Sequence, residues 1–285
     1  MLKTREQFEA EPLTGAMGAI LHGVNIADLD DTVFDDIRAS LFEYGAIAIP
    51  GQSLTLDQLK AFAARFGELE THPIVNGMEN HPEIIRMHKP AGAPATFGAG
   101  WHSDNSFFAR PSLGSILYAE IIPPVGGDTL FSNQQKAYEA LSPGLKTTLE
   151  NLTAIHSAHA AYTSPTALEK YDSDGPITYR RSDIIDQEVE HPVIIAHPIT
   201  GAKALYINPM FTLKFKHWTI EESRPLIDYL CRHAARDDFQ CRIRWSKGMV
   251  TMWDNRIVQH AALNDYEGHE RLIYRVTVNG EALGG

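Results

Sequence analysis

The chain has 285 residues, of which 44% are hydrophobic and 21% are charged, and its formal net charge is −11. This length and apolar content suit one large domain core, and the negative charge argues against nucleic-acid binding, which needs a basic face. No apolar run approaches the roughly 18 residues of a membrane span, and the first residues lack the apolar stretch of a signal peptide. Cys231 and Cys241 do not have the arrangement of a disulfide framework. We therefore expect a protein of the reducing cytoplasm with no membrane or nucleic-acid partner.

Two stretches near the start, 31–45 and 55–67, have apolar residues at helical spacing and end in glycine. The second begins with Thr55 and Gln58, which have the spacing of a capping box. Between them, the short run AIAIPG at 46–51 predicts a buried strand. The chain therefore begins with two helices separated by a strand.

From about residue 96, short β-branched or aromatic runs bounded by Gly, Pro, Asn and Asp predict strands. The predicted strands cover residues 115–123, 128–133, 152–160, 189–198, 203–208, 239–245, 248–255 and 272–280. Two helical segments interrupt them, at 133–152 and 219–238. Many short strands with few helical crossovers favour an antiparallel sandwich or barrel decorated by helices, in one domain over residues 1–285.

Residues 71–98 and 162–188 carry no clear period and are rich in Pro, Gly, Ser, Asp and Asn. Long segments of this kind inside a compact domain are often lids or binding loops. We predict lid-like loops here, with plain surface loops as the alternative.

The segment GAGWHSDNSFF, residues 98–108, carries two groups that bind metal well, His102 and Asp104. We expect a strand here, and a strand projects residues i and i+2 from the same face. The two side chains would then point together and could chelate one ion. The alternative is two polar residues on a solvated strand face, so the interpretation depends on a third ligand.

His260 is the best placed third ligand among the 13 histidines. It follows an apolar strand and the turn-forming pair Asp254 and Asn255, and it precedes the last predicted strand. Two histidines and one carboxylate on one face of an octahedron form the facial triad of non-haem Fe(II) oxygenases, which leaves three positions open. A barrel of antiparallel strands can bring such distant residues together.

Arg271 and Arg275 lie four residues apart on the last strand, so they share one face. Two inward guanidiniums are costly to bury without anionic partners, and they would suit a dicarboxylate beside the metal. The alternative is a pair of surface arginines on an edge strand. Thr129 opens a strand after a Gly-Gly turn, and its hydroxyl could bind a carboxylate or belong to an ordinary strand threonine.

Together these motifs resemble the Fe(II)/2-oxoglutarate-dependent dioxygenases of the taurine dioxygenase group, which includes chlorophenoxyacetate and phenoxypropionate dioxygenases. The resemblance rests on WHSD, GGDT, WDNRIVQH and the two arginines, and it extends to the opening segments PLTGAMGAILHGVNIADLDD and IAIPGQSLTLDQLKAFAARFGELE. It covers nearly the whole chain. It implies a mostly β fold with flanking helices, the double-stranded β-helix or jelly roll.

The resemblance also implies Fe(II) as cofactor, with 2-oxoglutarate and O2 as cosubstrates. The iron ligands match His102, Asp104 and His260. Thr129 and Arg275 match residues that hold the distal carboxylate of 2-oxoglutarate, and Arg271 matches a second arginine near its C1 carboxylate. The implied reaction is oxidative hydroxylation of a small organic acid of the sulfonate, alkyl sulfate or aryloxyalkanoate class, giving succinate and CO2.

The residues implied for substrate binding are His72, Phe107, Phe211 and Gly98. His72 matches a histidine that contacts the sulfonate in taurine-specific members, and the two phenylalanines match aromatic pocket positions. Gly98 replaces the polar asparagine expected four residues before the first iron ligand. This departure weakens a taurine assignment and suits a bulkier acid.

Two other functions stay open at this point. Catalytic zinc also uses two histidines and a carboxylate with an open position, so a zinc-dependent hydrolase is one alternative. A non-catalytic jelly-roll binding protein is the other. We expect a homo-oligomer. We also expect the protein to bind a small anionic substrate.

Overall fold

The structure, a computed structural model, describes residues 3–4, 7–93, 100–171 and 177–284. The strands in these ranges are β1 (Lys3–Thr4), β2 (Glu9–Pro12), β3 (Ala19–His22), β4 (Ala46–Ile49), β5 (Ile84–Lys89), β6 (Gly114–Ile121), β7 (Thr129–Asn133), β8 (Thr153–Ser157), β9 (Glu188–Pro192), β10 (Ile194–Ala196), β11 (Lys203–Leu205), β12 (Thr212–Phe215), β13 (Gln240–Ile243), β14 (Val250–Asp254), β15 (Val258–Ala262) and β16 (Arg271–Val278). The α-helices are α1 (Asp31–Tyr44), α2 (Leu56–Ala64), α3 (Gln134–Glu139), α4 (Pro143–Leu149), α5 (His159–Tyr162), α6 (Pro165–Leu168) and α7 (Ile220–Ala234). No helix in the described ranges is both long enough and apolar enough to cross a membrane.

The first helix begins and ends where the sequence predicts, whereas the second begins as predicted but ends at Ala64, with Arg65 rather than Gly67 as its C-cap. The Asp30 side chain accepts a hydrogen bond from the N–H of Val33 at the start of α1, and Gly45 ends the helix with φ 73°. At the start of α2, Thr55 and Gln58 form the reciprocal hydrogen bonds of a capping box. The predicted capping box is therefore confirmed.

Eight strands form a large sheet in the order β1-β2-β3-β4-β14-β6-β16-β5. The β3–β4 pair is parallel, whereas the other neighbours run antiparallel. Three antiparallel strands, in the order β13-β7-β15, form a smaller sheet. Two further small sheets, β12-β8-β9 and β10-β11, extend the β region.

The large sheet and the β13-β7-β15 sheet share one buried apolar cluster. The large sheet contributes Ala48, Leu117, Trp253 and Ile273, and the small sheet contributes Phe131, Ile243 and Val258. Two sheets joined by interdigitating side chains across a common core are the arrangement expected of a jelly roll. The three candidate ligands lie at the edge of this core.

The other face of the large sheet is covered by α1 and α2. In β4, Ala46 and Ala48 point to the inter-sheet cluster, whereas Ile47 and Ile49 pack with the helices. This alternation is the period of two that a strand imposes on its side chains. Since both faces are apolar, the strand reads as a continuous hydrophobic run.

Some predicted elements differ from the structure. Residues 133–152 form two helices rather than one, because Pro143 lacks an N–H and restricts Ser142, which caps α4 at φ −64° and ψ 152°. The segment 71–98, predicted to lack regular structure, contains β5, which pairs with β16 at the edge of the large sheet. Residues 94–98 of the first predicted lid and 172–176 of the second lie outside the described residues.

Candidate metal centre

His102 and His260 lie side by side because their backbones pair. The N–H of His102 donates to the carbonyl of His260 over 3.1 Å, and the N–H of His260 donates to the carbonyl of His102 over 2.9 Å. His260 belongs to β15, but His102 forms only a single bridge. The predicted strand through His102 and Asp104 is therefore wrong, because the chain enters a turn after His102 and Asn105 takes a φ of 54°.

This turn brings the Asp104 carboxylate to the two imidazoles. The Nε2 atoms of His102 and His260 lie 3.5 Å and 3.8 Å from Asp104 Oδ1. One ligand atom from each of the three residues lies within 4.8 Å of the other two, and all three side chains are buried. Two imidazoles and one carboxylate at this spacing could hold one transition-metal ion and leave coordination positions free.

Hydrogen bonds orient these ligands toward a common point. His102 Nδ1 lies 2.9 Å from the carbonyl of Gly100, so this nitrogen carries the proton and leaves Nε2 as the ligand atom. Ser115 Oγ donates to Asp104 Oδ2 over 2.7 Å, and Arg275 Nη2 lies 3.1 Å from the same oxygen. With Oδ2 engaged, Oδ1 is the carboxylate oxygen that faces the two histidines.

The electrostatics favour the protonation states that a metal requires. Burial opposes the charged form of Asp104, but Arg275, His260 and His102 together hold the pKa of its carboxyl well below the usual range. Burial, assisted by His102, lowers the pKa of His260 to about 3. The site therefore offers an ionised carboxylate and, at His260, a neutral imidazole near neutral pH.

The turn that carries Asp104 is anchored to the β14–β15 connection. Asn255 Oδ1 accepts hydrogen bonds from the N–H of Asp104 at 3.4 Å and from Trp253 Nε1 at 2.8 Å. Ser103 Oγ donates to the carbonyl of Val258 over 3.0 Å. These contacts fix His102 and Asp104 relative to His260. The ring of His260 lies 4.5 Å from that of Trp253.

Arg271 and Arg275 are both buried on β16, on the face that Ile273 presents to the inter-sheet core. Their surroundings differ. The Thr129 hydroxyl accepts a hydrogen bond from Trp245 Nε1 over 3.0 Å, and the Arg271 guanidinium lies 5.7 Å from the centre of the Trp245 ring. Arg275 instead lies against the Asp104 carboxylate. The structure therefore groups Thr129 with Arg271 and places Arg275 beside the candidate metal position.

Both guanidiniums keep buried nitrogens without a hydrogen-bond partner among the described residues, namely Arg271 Nε and Arg275 Nη2. Arg275 Nη2 is close enough to Asp104 for an ion pair, but its geometry is not that of a hydrogen bond. Burial lowers the pKa of Arg271, and neighbouring Tyr266 opposes this effect. Unpaired buried N–H donors are costly, so two of them on one strand face indicate sites for anionic acceptors.

A cavity of about 360 Å³ adjoins the three ligands. Its described lining includes His102, Asp104 and Arg275 at one end and a mostly apolar wall elsewhere. The apolar wall comprises Val75, Ile85, Ala161, Tyr162, Ala167, Tyr179, Met210 and Phe211. The lining also includes the polar side chains of Ser164, Thr166, Lys170 and Asn264. A partly apolar chamber that ends in a carboxylate, an imidazole and a guanidinium suits a small organic anion.

The four predicted substrate residues have different positions. Phe211 and His72 line the cavity. Phe107 does not: it is completely buried and packs behind Phe211, with ring centres 4.9 Å apart, so it supports the wall from inside the core. Gly98 lies outside the described residues.

A model of the family described as taurine catabolism dioxygenase TauD, TfdA family matches residues 9–277. This chain belongs to the TauD/TfdA family. The chain is therefore a dioxygenase by family, which favours this class over the zinc hydrolase and the non-catalytic binding protein.

Relatives of this dioxygenase match along almost their whole length. The alpha-ketoglutarate-dependent sulfate ester dioxygenase of Pseudomonas putida is 32% identical over 280 residues, covering 96% of this chain and 90% of the relative. The (S)-phenoxypropionate/alpha-ketoglutarate-dioxygenase of Sphingobium herbicidovorans is 29% identical, with 96% of both chains covered. The crystal structure of a taurine dioxygenase from Burkholderia xenovorans superposes with a TM-score of 0.81 at 32% identity, covering 98% of this chain and 93% of that one. These matches confirm the predicted fold class.

Several residues around the centre of the dioxygenase were not predicted. Ser115, Asn255 and Trp245 contact the candidate ligands or cosubstrate residues, yet each looks like an ordinary strand or turn residue in the sequence. Asn255 had a weak signal, because it follows Asp254 in the turn before His260. For Ser115 and Trp245 no local pattern identifies the partner, since Asp104 and Thr129 lie in other elements of the fold.

Proposed function

We propose that this chain is an Fe(II)- and 2-oxoglutarate-dependent dioxygenase that hydroxylates a small organic anion, with His102, Asp104 and His260 as the iron ligands. The observation that supports this most directly is the buried triad, whose ligand atoms lie within 4.8 Å of one another. Its imidazole and carboxylate donors are those of the facial triad that iron oxygenases use. Bound together, iron and 2-oxoglutarate would supply the oxidation by O2 that yields succinate and CO2.

The two arginines support the assignment of 2-oxoglutarate. Arg271 Nε is a buried donor without a partner, in the same group as the Thr129 hydroxyl and Trp245, so this group suits the distal carboxylate. Arg275 Nη2 is a second such donor, and it lies beside Asp104. Arg275 would therefore contact an anionic group next to the metal. This reverses the roles that the family resemblance gave to the two arginines.

The protein would contribute position and water exclusion. Ser115 and Arg275 hold Asp104 Oδ2, and the inter-sheet core surrounds His260 with Trp253 and Phe131. The apolar wall of the cavity removes water from the substrate carbon that reacts, which protects an oxidising site from side reactions. The predicted lids at 71–98 and 162–188 would complete this enclosure. Limited proteolysis with and without Fe(II), 2-oxoglutarate and substrate tests them, and equal cleavage of both segments in both states would count against closure.

The substrate class we propose is a sulfonate, an alkyl sulfate or an aryloxyalkanoate. The relatives' names include a sulfate ester, phenoxypropionate and taurine, all of them small anions. The cavity agrees in chemistry, because a cationic Arg275 at the metal end faces apolar and aromatic side chains. A screen of the three classes, scored by 2-oxoglutarate-dependent O2 uptake, would identify the substrate. The cytoplasmic location and the homo-oligomeric state stay predictions.

One anaerobic titration tests the proposed function against its alternatives. Addition of Fe(II) and then 2-oxoglutarate should give a weak visible charge-transfer band, and His102→Ala or Asp104→Ala should abolish both the band and the formation of succinate. His22→Ala is the matched control, because this ring lies at the surface against Glu11. Absence of the band from the native protein, together with activity restored by Zn(II) alone, would favour a hydrolase instead.

A further inference from the structure

In the part of the cavity wall formed by His72 and Asn105, the side-chain N–H groups are engaged within the protein. His72 Nδ1 accepts hydrogen bonds from the backbone N–H groups of Ile74 at 3.1 Å and Val75 at 2.9 Å. Since Nδ1 is an acceptor, the proton of the neutral ring is on Nε2. That N–H donates to Asn105 Oδ1 over 3.1 Å. Both ring nitrogens of His72 are therefore occupied.

The Asn105 amide is held in this orientation from its other end. Its Nδ2 donates to Glu70 Oε1 over 2.8 Å and to Ser112 Oγ at 3.0 Å, and Ser112 Oγ donates to Glu70 Oε2 over 2.7 Å. A flipped amide would bring its NH2 group against the His72 N–H and its oxygen against the carboxylate. The flip is therefore excluded, and the oxygen of Asn105 faces His72.

All four side chains of this chain of hydrogen bonds are buried, and two of them, His72 and Asn105, also line the cavity. An anion that approached His72 Nε2 would have to displace Asn105 Oδ1. The displaced oxygen would then be buried without a partner, which opposes binding. The Oδ1 atom itself is an acceptor and repels an anion. The side chains of His72 and Asn105 thus offer an anion no free donor, whereas Arg275 on the same cavity retains one.

We propose that Asn105 is a specificity-determining residue. By accepting the only ring N–H of His72, it prevents that ring from binding an anion, and Arg275 then binds the anionic group beside the metal. The inference rests on the proposed function, because it takes this cavity to be the substrate site. It assigns His72 the role of a neutral wall residue. Removal of the Asn105 side chain should convert His72 into a hydrogen-bond donor to the substrate.

Binding of benzenesulfonate to the anaerobic complex with Fe(II) and 2-oxoglutarate tests the proposal, followed by the shift of the charge-transfer band. Asn105→Gly removes the acceptor and suits the backbone φ of 54°. His72→Asn keeps an acceptor near the position of Nδ1 but lacks the Nε2 donor. Asn264→Ala is the control, because Asn264 lines the same cavity and makes no hydrogen bond with His72.

We expect Asn105→Gly to bind benzenesulfonate about tenfold more tightly than the native enzyme, since a hydrogen bond to a charged group becomes available. The gain should vanish in the double variant with His72→Asn and be absent from Asn264→Ala. His72→Asn alone should change the affinity less than about twofold, which also tests the proposal if Asn105→Gly does not fold.

Two results would overturn the proposal. One is a tenfold loss of affinity in His72→Asn alone, which would show that the native ring already binds the anion. The other is unchanged affinity in a folded Asn105→Gly variant. Failure of the proposed function has a different signature, because the native protein would then give no charge-transfer band before any benzenesulfonate is added.

Discussion

Ser115→Ala should weaken metal binding although Ser115 is not a metal ligand. Its hydroxyl lies 2.7 Å from Asp104 Oδ2 and is completely buried, so no water can replace it. Without this donor, Arg275 alone holds Oδ2, and the carboxylate can rotate away from the position in which Oδ1 faces the histidines. Loss of a partner that orients a ligand typically costs 10–100-fold in metal affinity. Because Arg275 remains, we expect the lower end, roughly tenfold.

Anaerobic calorimetric titration of the metal-free variant with Mn(II) measures this change directly and requires no substrate. Ser132→Ala is the matched control: it removes a completely buried strand hydroxyl, but that hydroxyl donates to the carbonyl of Ala234 and contacts none of the three ligands. The control should bind Mn(II) within about twofold of the native protein. The absorption spectrum of the Co(II) form should also change in Ser115→Ala alone, because it reports the geometry of the carboxylate. A folded Ser115→Ala variant with native Mn(II) affinity would refute the positioning role.

Three further predictions concern the cosubstrate, pH and the backbone. Arg271→Lys replaces a planar guanidinium by a point charge and should raise the dissociation constant of 2-oxoglutarate about tenfold in the anaerobic band titration. The Mn(II) affinity should not change, because Arg271 does not contact Asp104. An equal loss of metal affinity would contradict the assignment of Arg271 to the cosubstrate alone. Burial lowers the pKa of His72 to about 3, so the folded state resists a protonation that the unfolded chain accepts below pH 6.5. The free energy of unfolding of the native protein, relative to that of His72→Asn, should therefore be constant above pH 6.5 and about 2 kcal/mol lower at pH 5. Urea titration measures this difference, and a difference that does not change with pH would count against the prediction. Gly248→Ala should destabilise the fold more than Gly51→Ala: both glycines have φ above +70°, but only at Gly248 would a Cβ lie 2.3 Å from the Gln52 carbonyl oxygen. The control should lose only the roughly 1–2 kcal/mol of left-handed backbone strain, and equal losses would show that the contact relaxes.

The predicted metal site shows how a correct residue set can rest on an incorrect local structure. His102 and Asp104 were paired because residues i and i+2 share a face of a strand. The structure brings them together through a bridge and a turn instead. Sequence spacing identified which groups could meet, since the donor chemistry of the facial triad limits the choice. The conformation of Asn105 was not predictable, because its φ of 54° depends on the hydrogen bonds that Glu70 and Ser112 make with its amide.

Arg271 and Arg275 show that the sequence also could not predict which residues contact each side chain. Their spacing of four residues correctly placed both on the inner face of β16, and one buried nitrogen on each without a hydrogen-bond partner marks them as candidate anion sites. Which arginine accompanies Thr129 depends on Trp245, a residue at the end of another strand of the neighbouring sheet. No local pattern contains that information, and the assignment of Arg275 with Thr129 to the distal carboxylate of 2-oxoglutarate rested on the family resemblance alone.

The sequence by itself determined the elements whose signals are local: the capped helices α1 and α2, most strands of the jelly roll, and the residue types of the triad. These signals follow from hydrogen bonding and side-chain period over a few residues. Only the tertiary structure decided which oxygen of Asp104 faces the histidines, which arginine lies beside the metal position, and that the His72 N–H belongs to Asn105. Each of these depends on hydrogen bonds or ion pairs between side chains at least 11 residues apart, which form only when the sheets close around the common core.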